Sequence, residues 1–288
     1  MLKSKLPLFI SFCRSECSFS EHTCNAYQRD LTQFFAITHT VTYSSIQTYV
    51  HWLYSKEFLP KTKARKLASF RSFLQFCIRE GFCESELLLA IPQLRVPQRL
   101  PRSLDQSVIN ALLRLPDITT PKGFRDRVIL ELLYSTGIRV SECVKLKLSD
   151  IDLMEGVILI SGKGNKERHI PLTTLCKRYL NQYLVLVKDN FWLFQLPSAQ
   201  KPLSRFTIYS IIKKYSLQLS HLNLAGQSIT PHSFRHAFAT HLLEGGARLR
   251  DVQVLLGHQQ LSSSQIYSHI NTKTVKQTYL RSHPRGSL

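Results

Sequence analysis

The sequence predicts a mainly α-helical protein in two parts, with one small β-hairpin in the second part, which is an α+β arrangement. Three observations predict this fold class. Apolar residues recur at threes and fours through residues 1–91, as they do in amphipathic helices. A stretch rich in proline and arginine then interrupts the helical pattern at residues 92–104. The clearest strand pattern comes after it, around a turn near residue 163.

The first part, residues 1–91, is predicted to be helical throughout. Its periodic apolar positions include Leu31 and Phe34 in one stretch and Phe70 in another. The stretch 62–79 is also basic at its start, where positively charged side chains precede aromatic ones. The segment alone supports two interpretations of this basic face equally: a solvated helix face over a core, or a surface that contacts DNA.

Residues 92–104 are predicted to form a basic linker. The segment from Ile91 to Leu104 contains three prolines and three arginines in fourteen residues, a composition that disfavours both helix and sheet. The chain has 13 basic and 7 acidic residues up to position 100, and 25 basic and 12 acidic residues after it. Both parts are therefore positively charged, which favours a clamp around a duplex over one isolated patch.

The second part, residues 105–288, is predicted to be helical on either side of the hairpin. The β-branched run at 157–160 and the segment 168–170 flank the turn residues GKGN at 162–165. Because Pro171 follows the second segment, the strand is expected to end there.

Three helices are predicted near the end of the chain. The first has Thr230 as its N-cap and Pro231 at its first position, and a pair of glycines ends it. A shorter helix spans about 249–256 and ends at Gly257. The last covers 272–282 and has an apolar face.

The composition favours a nucleic acid as the partner. The 288 residues carry a net charge of +19, and a polyanion makes such a surface useful. An anionic membrane surface is second, but no apolar run is long enough for membrane insertion. The seven cysteines form no CxxC pair, which favours a reducing compartment, the cytoplasm. No metal site is predicted, because Cys13, Cys17, His22 and Cys24 fit no common zinc spacing.

Four segments of the second part carry residues suited to chemistry: STGIRVSE at 135–142, GKGNKER at 162–168, TPHSFRHAFATHLL at 230–243 and LLGHQQLSSSQIYSHI at 255–270. GKGNKER lacks the Walker spacing, so nucleotide hydrolysis is not expected. His232 and Arg235 are three residues apart near the start of a helix, a position suited to a phosphate. From these two residues alone, a capping histidine beside a surface arginine is the favoured interpretation. His241 is expected to lie against the core.

Taken together, the four segments resemble the tyrosine recombinase (phage integrase) family, and most closely the bacterial Xer-type recombinases. The resemblance covers essentially the whole chain and rests on an ordered series of Arg, Lys, His-x-x-Arg, His and Tyr, in which Tyr267 follows His258 by nine positions. The first part is similar to the family's helical N-terminal core-binding (SAM-like) DNA-clamping domain, and residues 105–288 to its catalytic domain. Departures are small, such as Cys143 after the Ser-Glu pair.

The resemblance implies six site residues. Tyr267 is then the nucleophile, which attacks a scissile DNA phosphate and leaves a 3′-phosphotyrosyl link and a free 5′-hydroxyl. Two arginines bind the non-bridging oxygens, a lysine protonates the departing 5′ oxygen, and two histidines assist proton transfer and hold the phosphate. In chain order the six are Arg139, Lys163, His232, Arg235, His258 and Tyr267.

The chemistry of phosphoryl transfer supports that set. Negative charge accumulates around phosphorus during the displacement, so preorganised cations must stand where other enzymes place metal ions. Arginine suits this task because its planar fork binds two oxygens and stays charged. Since the phosphodiester is stored on Tyr267 rather than hydrolysed, no ATP and no other cofactor is expected.

The resemblance also implies partners. Double-stranded DNA is the substrate, and exchange between two duplexes implies a tetramer of homologous recombinase subunits. In that tetramer the helix at 272–282 docks into a neighbouring subunit, although it could instead fold back on its own chain. Whether a second related recombinase or a cell-division activator takes part stays open.

Three functions compete at this point. The first is a site-specific recombinase of Xer type that resolves chromosome dimers at cell division. The second is a phage or mobile-element integrase with the same chemistry, and the third is an inert DNA-binding accessory protein. The intact set of six residues disfavours the third, and the compact chain favours the first over the second. A type IB topoisomerase would share the phosphotyrosyl chemistry but needs no tetramer.

Overall fold

The structure is a computed structural model that describes residues 2–17, 19–94, 103–161, 167–196, 200–219, 229–257 and 272–286. It divides into two compact units, Met1–Leu100 and Pro101–Leu288. The prediction of a mainly helical chain with a small sheet in the second part is confirmed. Most of the predicted linker lies outside the described residues. Among the residues that are described, no helix is long and apolar enough to cross a membrane.

The first unit consists of four α-helices and two short 3-10 helices. Ser20 and Thr42 cap the second and third helices, because each side chain accepts a hydrogen bond from the backbone amide three residues later. Proline at the start of the fourth helix is likewise typical of a first turn. The helices are α1 (Leu6–Ser15), α2 (Glu21–Thr38), α3 (Tyr43–Ser55) and α4 (Pro60–Arg79), with 3-10 turns at Leu2–Lys5 and Ser85–Ala90.

The core of the first unit is largely aromatic. Phe34 of α2 stacks on Phe70 of α4 with ring centroids 4.0 Å apart, and Tyr49 of α3 meets Phe34 edge to face. These rings are fully buried, as are Leu31 and Phe73. The apolar periodicity of the sequence therefore identified the face that each helix turns inward.

The basic residues at the start of α4 differ in their exposure, which bears on whether this stretch is a solvated helix face or a surface that contacts DNA. Lys61 and Arg65 are exposed, whereas Lys66 is buried. The Lys66 Nζ atom lies 3.1 Å from the buried Asp30 carboxylate, which Arg65 also contacts. Lys66 is thus part of a buried ion pair inside the unit. Lys61 and Arg65 supply accessible positive charge in this stretch.

Replacing Asp30 by Ala is expected to destabilise the first unit by about 3 kcal/mol, because the Lys66 ammonium would stay buried without its partner. Urea unfolding measures this through Trp52 fluorescence in a Trp192→Phe background. Glu21→Ala, which removes an exposed partner of Arg14, is the matched control and should change little. Equal stability of the two variants would contradict the structural role of Asp30.

The second unit packs eight α-helices, counted over the described residues, around a three-stranded antiparallel sheet. The predicted hairpin is confirmed: Ile158 pairs with Ile170, and both are buried. A two-residue strand, too short for a sequence pattern, extends the sheet. The elements are α5 (Gln106–Arg114), α6 (Pro121–Thr136), α7 (Val140–Cys143), β1 (Ile151–Asp152), β2 (Val157–Ser161), β3 (Glu167–Pro171), α8 (Thr174–Leu186), α9 (Arg205–Gln218), α10 (Pro231–Glu244), α11 (Leu249–Leu256) and α12 (Thr272–Ser282), with a 3-10 turn at Leu148–Asp150.

Helix α12 lies against its own unit in this single chain. Val275 and Tyr279 are buried in the core, and the Tyr279 hydroxyl donates to the Ser135 carbonyl of α6 at 2.6 Å. Beyond the helix, Arg285 donates at 3.0 Å to Glu131 of α6. The sequence left open whether this helix docks into a neighbouring subunit or packs on its own chain. In the single chain it packs on its own unit.

Candidate active site

The structure describes three of the six site residues expected from the resemblance: Arg139, His232 and Arg235. Lys163, His258 and Tyr267 lie outside the described residues. The described backbone ends two residues before Lys163, at Ser161, and one residue before His258, at Gly257. The geometry of the site is therefore the geometry of the two arginines, one histidine and the elements around them.

Arg139 lies at the N-terminus of α7 and is held there by Glu142. The Arg139 Nη1 atom donates to Glu142 Oε1 at 2.9 Å, and the Arg139 backbone amide donates to Glu142 Oε2 at 2.8 Å. About half of the Arg139 side chain (47%) is nevertheless exposed. The carboxylate thus fixes the direction of the guanidinium and leaves part of it accessible to a ligand.

Gly137 brings this arginine close to α10. It ends α6 with φ +59°, a left-handed conformation that favours glycine. A Cβ atom at this position would overlap the ring of Phe238 on α10. The absence of a side chain therefore lets the α6–α7 turn, and Arg139 with it, pack directly on the helix that carries Arg235.

Helix α10 begins as the sequence predicts. The Thr230 side chain accepts a hydrogen bond from the Ser233 amide and Pro231 occupies the first turn. His232 is exposed in that turn, whereas Arg235, one turn later, is buried with 8% of its surface accessible. The surface-arginine interpretation is therefore wrong for Arg235, because tertiary packing encloses it.

The buried Arg235 guanidinium bridges two turns of backbone. Its Nη1 atom donates to the Gly137 carbonyl at 2.7 Å and its Nη2 atom to the Leu256 carbonyl at 2.6 Å. Leu256 is the last residue of α11, two positions before His258. Arg235 thus joins α10, the turn before Arg139 and the end of α11.

Arg235 and Arg139 are close enough to influence each other electrostatically. Burial lowers the pKa of Arg235 from 12.5 to about 10, and the positive charge of Arg139 acts in the same direction. Glu142 opposes this shift, so Arg235 stays a cation at neutral pH. The positive charges of Arg139 and Arg235 repel each other, and an anion bound to both would relieve that repulsion. The arrangement is suited to binding an anion with several oxygens.

Two further residues belong to this site, although the sequence reasoning assigned them no role. Glu142 holds Arg139, and its spacing of three residues is a signal that could have identified it. Arg168 on β3 contacts both carboxylate oxygens of Glu142, at 3.1 and 2.9 Å. No local pattern links two residues 26 positions apart, so only the fold identifies Arg168.

Helix α10 carries two further histidines, His236 and His241. His241 is buried as expected, and its Nδ1 atom lies 2.9 Å from the hydroxyl of Tyr134. Burial lowers the pKa of His241, which favours the neutral ring. His236 is half-buried on the same helix. The prediction that His241 lies against the core is confirmed.

Known proteins resemble the chain in both units. The phage integrase family matches residues 102–274, and the N-terminal SAM-like domain of phage integrases matches residues 6–81. A tyrosine recombinase XerD from Staphylococcus haemolyticus is 36% identical over 96% of this chain and 98% of its own length. A tyrosine recombinase XerC from Oceanobacillus iheyensis is also 36% identical, over 99% of this chain and 98% of its own length.

Solved structures share the fold. A λ integrase dimer bound to a COC′ core site has a TM-score of 0.71 at 19% identity, and the match covers 90% of this chain and 95% of that one. A λ integrase tetramer bound to a Holliday junction has a TM-score of 0.69 at 18% identity, over 92% and 76% of the two chains. From the two family matches and the near full-length relatives, the chain belongs to the phage integrase family of tyrosine recombinases, which cut and rejoin DNA through a covalent phosphotyrosine intermediate.

Proposed function

We propose that this chain is a site-specific DNA recombinase of Xer type that resolves chromosome dimers during segregation at cell division. The observation that carries the proposal is the pair Arg139 and Arg235, fixed by Glu142 and by two backbone carbonyls in an arrangement suited to a phosphate. Relatives that bear the names XerC and XerD over nearly the whole chain support the same conclusion.

In this proposal Tyr267 is the nucleophile. Its hydroxyl oxygen forms a bond to phosphorus, the bond from phosphorus to the 5′ oxygen breaks, and Lys163 supplies a proton to that oxygen. Arg139 and Arg235 neutralise the charge that gathers on the non-bridging oxygens. A phenol with an ordinary pKa of about 10 needs such cations, or a base, to lose its proton at neutral pH.

The histidines complete the proposed set. His232 is exposed in the first turn of α10, three residues before Arg235, and the N-terminal turn of a helix is suited to a phosphate. His258 directly follows Gly257 at the end of α11, whose last carbonyl is bound by Arg235. Both are proposed to assist proton transfer and to hold the phosphate.

Covalent chemistry of this kind conserves the energy of the phosphodiester. Water would discard that energy, whereas the 5′-hydroxyl of another strand can attack the phosphotyrosine and reseal the backbone. Strand exchange then needs no ATP, metal ion or organic cofactor. The two arginines supply the positive charge that a metal ion supplies in other phosphoryl-transfer enzymes.

Double-stranded DNA and further recombinase subunits are the proposed partners. Two duplexes present four strands to be cut, so the proposed active assembly is a tetramer. The λ integrases that share this fold hold DNA as a dimer and as a tetramer, which supports that assembly. The proposed chromosomal role also places the protein in the cytoplasm. It includes a second related recombinase and a cell-division activator as further partners.

Covalent capture followed by strand exchange tests the function. The chain is incubated with fragmented genomic DNA of its source, and the fragments that stay attached after denaturation are sequenced. Recovery of one chromosomal site outside any mobile element is the expected result. Recovery of the ends of a mobile element would favour the integrase alternative.

The captured site then distinguishes recombination from relaxation. Two duplexes of different length that both carry the site should yield strands of mixed length. Relaxation of supercoils without mixed strands would indicate a topoisomerase, and binding without attachment would indicate an inert accessory protein.

A further inference from the structure

Arg168 occupies a position where one side chain meets two separate parts of the site. It lies on β3, which begins four residues after Lys163 in the sequence, and only 15% of its side chain is exposed. Its two terminal nitrogens donate to the two oxygens of Glu142, and its Nε atom donates to the Leu255 carbonyl at 3.2 Å. Each nitrogen of the guanidinium is therefore engaged.

The first contact of Arg168 leads to Arg139. The same Glu142 carboxylate that receives the fork of Arg168 also receives the Arg139 guanidinium and the Arg139 backbone amide. Only 8% of the Glu142 side chain is exposed, so these protein donors supply most of its hydrogen bonds. The orientation of Glu142, and through it that of Arg139, therefore depends on Arg168, which donates to both of its oxygens.

The second contact leads to the end of α11. The carbonyls of Leu255 and Leu256 belong to the last turn, which has no partners within the helix. Arg168 binds the first of them and Arg235 the second. Cations at this end of a helix also complement its dipole.

Gly257 shows how closely Arg168 approaches this backbone. A Cβ atom at Gly257 would lie 3.2 Å from the Cζ and Nη1 atoms of Arg168, and its φ of +64° independently favours glycine. His258 is the next residue. The guanidinium thus packs against the backbone that leads to a proposed site residue.

We propose that Arg168 is a positioning residue for strand cleavage, which fixes Glu142, and through it Arg139, relative to the end of α11 that leads to His258. This inference rests on the proposed function, since it assigns Arg139 and His258 to the same phosphate. The role assigned to Arg168 acts through Glu142 and through the end of α11.

Arginine is suited to this position for a geometric reason. Its planar fork binds both oxygens of a carboxylate and leaves Nε for a third acceptor in the same plane, whereas the ammonium of lysine is a single point charge. Lysine at this position can pair with Glu142 or with the Leu255 carbonyl, but it cannot hold both in one fixed geometry. Misplacement of a reacting group by about 1 Å costs roughly 100-fold in rate.

A second buried arginine cluster provides a matched control. Arg127 and Arg285 both pair with the buried Glu131, in the same unit but on α6 and at the C-terminal end. Among the described residues, the hydrogen bonds and ion pairs of Arg127 and Arg285 do not involve Arg139, Arg235 or α11. Loss of this cluster should lower the stability of the fold without moving the chemistry.

The test compares Arg168→Gln, Arg168→Lys and Arg127→Gln with the wild-type chain. The probe is a nicked suicide duplex that carries the site captured by the wild-type chain from genomic fragments. Three quantities are measured: the single-turnover rate of covalent attachment, the Kd for the duplex and the thermal midpoint. For Arg168→Gln we expect attachment roughly 100-fold slower with an unchanged Kd; Arg127→Gln should lower the thermal midpoint and leave the attachment rate unchanged.

The pH dependence of attachment separates positioning from general destabilisation. Burial alone would raise the pKa of Glu142, but the hydrogen bonds and charges of Arg168 and Arg139 lower it below its usual value. Glu142 is therefore ionised at neutral pH. Its ion pair with Arg139 is lost only when acid protonates the carboxylate. In Arg168→Gln the burial persists while one cation is lost, so the pKa of Glu142 rises and the acid limb of the rate profile moves to higher pH.

The other groups facing Glu142 remain in these variants. Among the described residues they are Arg139, Arg235 and Cys143. Arg139 lowers the pKa of Glu142, and the negative charge of Glu142 raises the pKa values of Arg235 and Cys143. Arg168→Lys retains the positive charge, so its acid limb should stay in place although its rate falls. If Arg168 acts by positioning, both variants attach more slowly, but only Arg168→Gln shifts the acid limb of the pH profile.

The outcomes separate this inference from the proposed function. If the wild-type chain attaches to DNA and both Arg168 variants attach at its rate with its pH profile, the inference fails and the proposed function stands. If the wild-type chain does not attach, both fail. Should Arg168→Gln not fold, Arg168→Lys decides: slower attachment at an unchanged Kd supports the inference, and an unchanged rate overturns it.

Discussion

Replacing Tyr267 by Phe should abolish covalent attachment to DNA while leaving the affinity for DNA intact. The change removes one oxygen atom, the one that is proposed to form the bond to phosphorus. Loss of a nucleophile from an assembled site lowers the rate by a factor on the order of 10⁴ or more. DNA affinity should persist because it arises from phosphate contacts made by a chain with a net charge of +19.

The measurement is denaturing electrophoresis of the chain with a nicked suicide duplex, in which the released strand cannot return. Wild type should accumulate a species with one DNA strand attached, and Tyr267→Phe should show none although gel shifts report equal binding. Tyr43→Phe, at an exposed tyrosine of the first unit, is the control and should attach as wild type does. Full attachment by Tyr267→Phe would mean that another residue is the nucleophile.

Replacing Arg235 by Lys should lower the rate of attachment by roughly 10²- to 10³-fold, the loss typical of one charge-stabilising donor in a transition state. Arg235 binds the carbonyls of Gly137 and Leu256 at once, and a lysine ammonium cannot reproduce that planar bridge. A buried lysine also loses its proton more readily than arginine, so the positive charge itself is weakened.

Single-turnover attachment measures this effect, and fluorescence anisotropy with the same duplex measures the Kd. Arg248→Lys on the turn before α11 is the matched control, because 72% of the Arg248 side chain is exposed. Its attachment rate should equal that of wild type. If Arg235→Lys also attached at the wild-type rate, the phosphate would have to be bound by other cations.

Much of the fold could be predicted because its signals are local. The helix at 231–244 is marked by Thr230 and Pro231 at its start, and the hairpin by β-branched residues before the glycine-containing segment GKGN. Burial of Leu31, Phe34 and Phe70 follows from their periodicity. Each of these patterns lies within one stretch of chain, where the backbone itself sets the spacing of the side chains.

The candidate site could be predicted only in part. The order Arg, Lys, His-x-x-Arg, His and Tyr identified the set, but the burial of Arg235 was not visible in it. The same holds for Lys66, which belongs to a basic run in the sequence yet pairs with Asp30, a residue 36 positions earlier. Whether a charged side chain is accessible depends on what packs over it, and that is decided by other elements.

By itself, the sequence determined the helical character of both units, the hairpin, the positive charge and the family. The tertiary structure alone decided three pairings: Glu142 with Arg168, Arg235 with the ends of two helices, and α12 with its own unit. The physical reason is the distance over which each effect acts. Periodicity and capping are properties of neighbouring residues, whereas a buried charge finds its partner only when distant segments have excluded water from both.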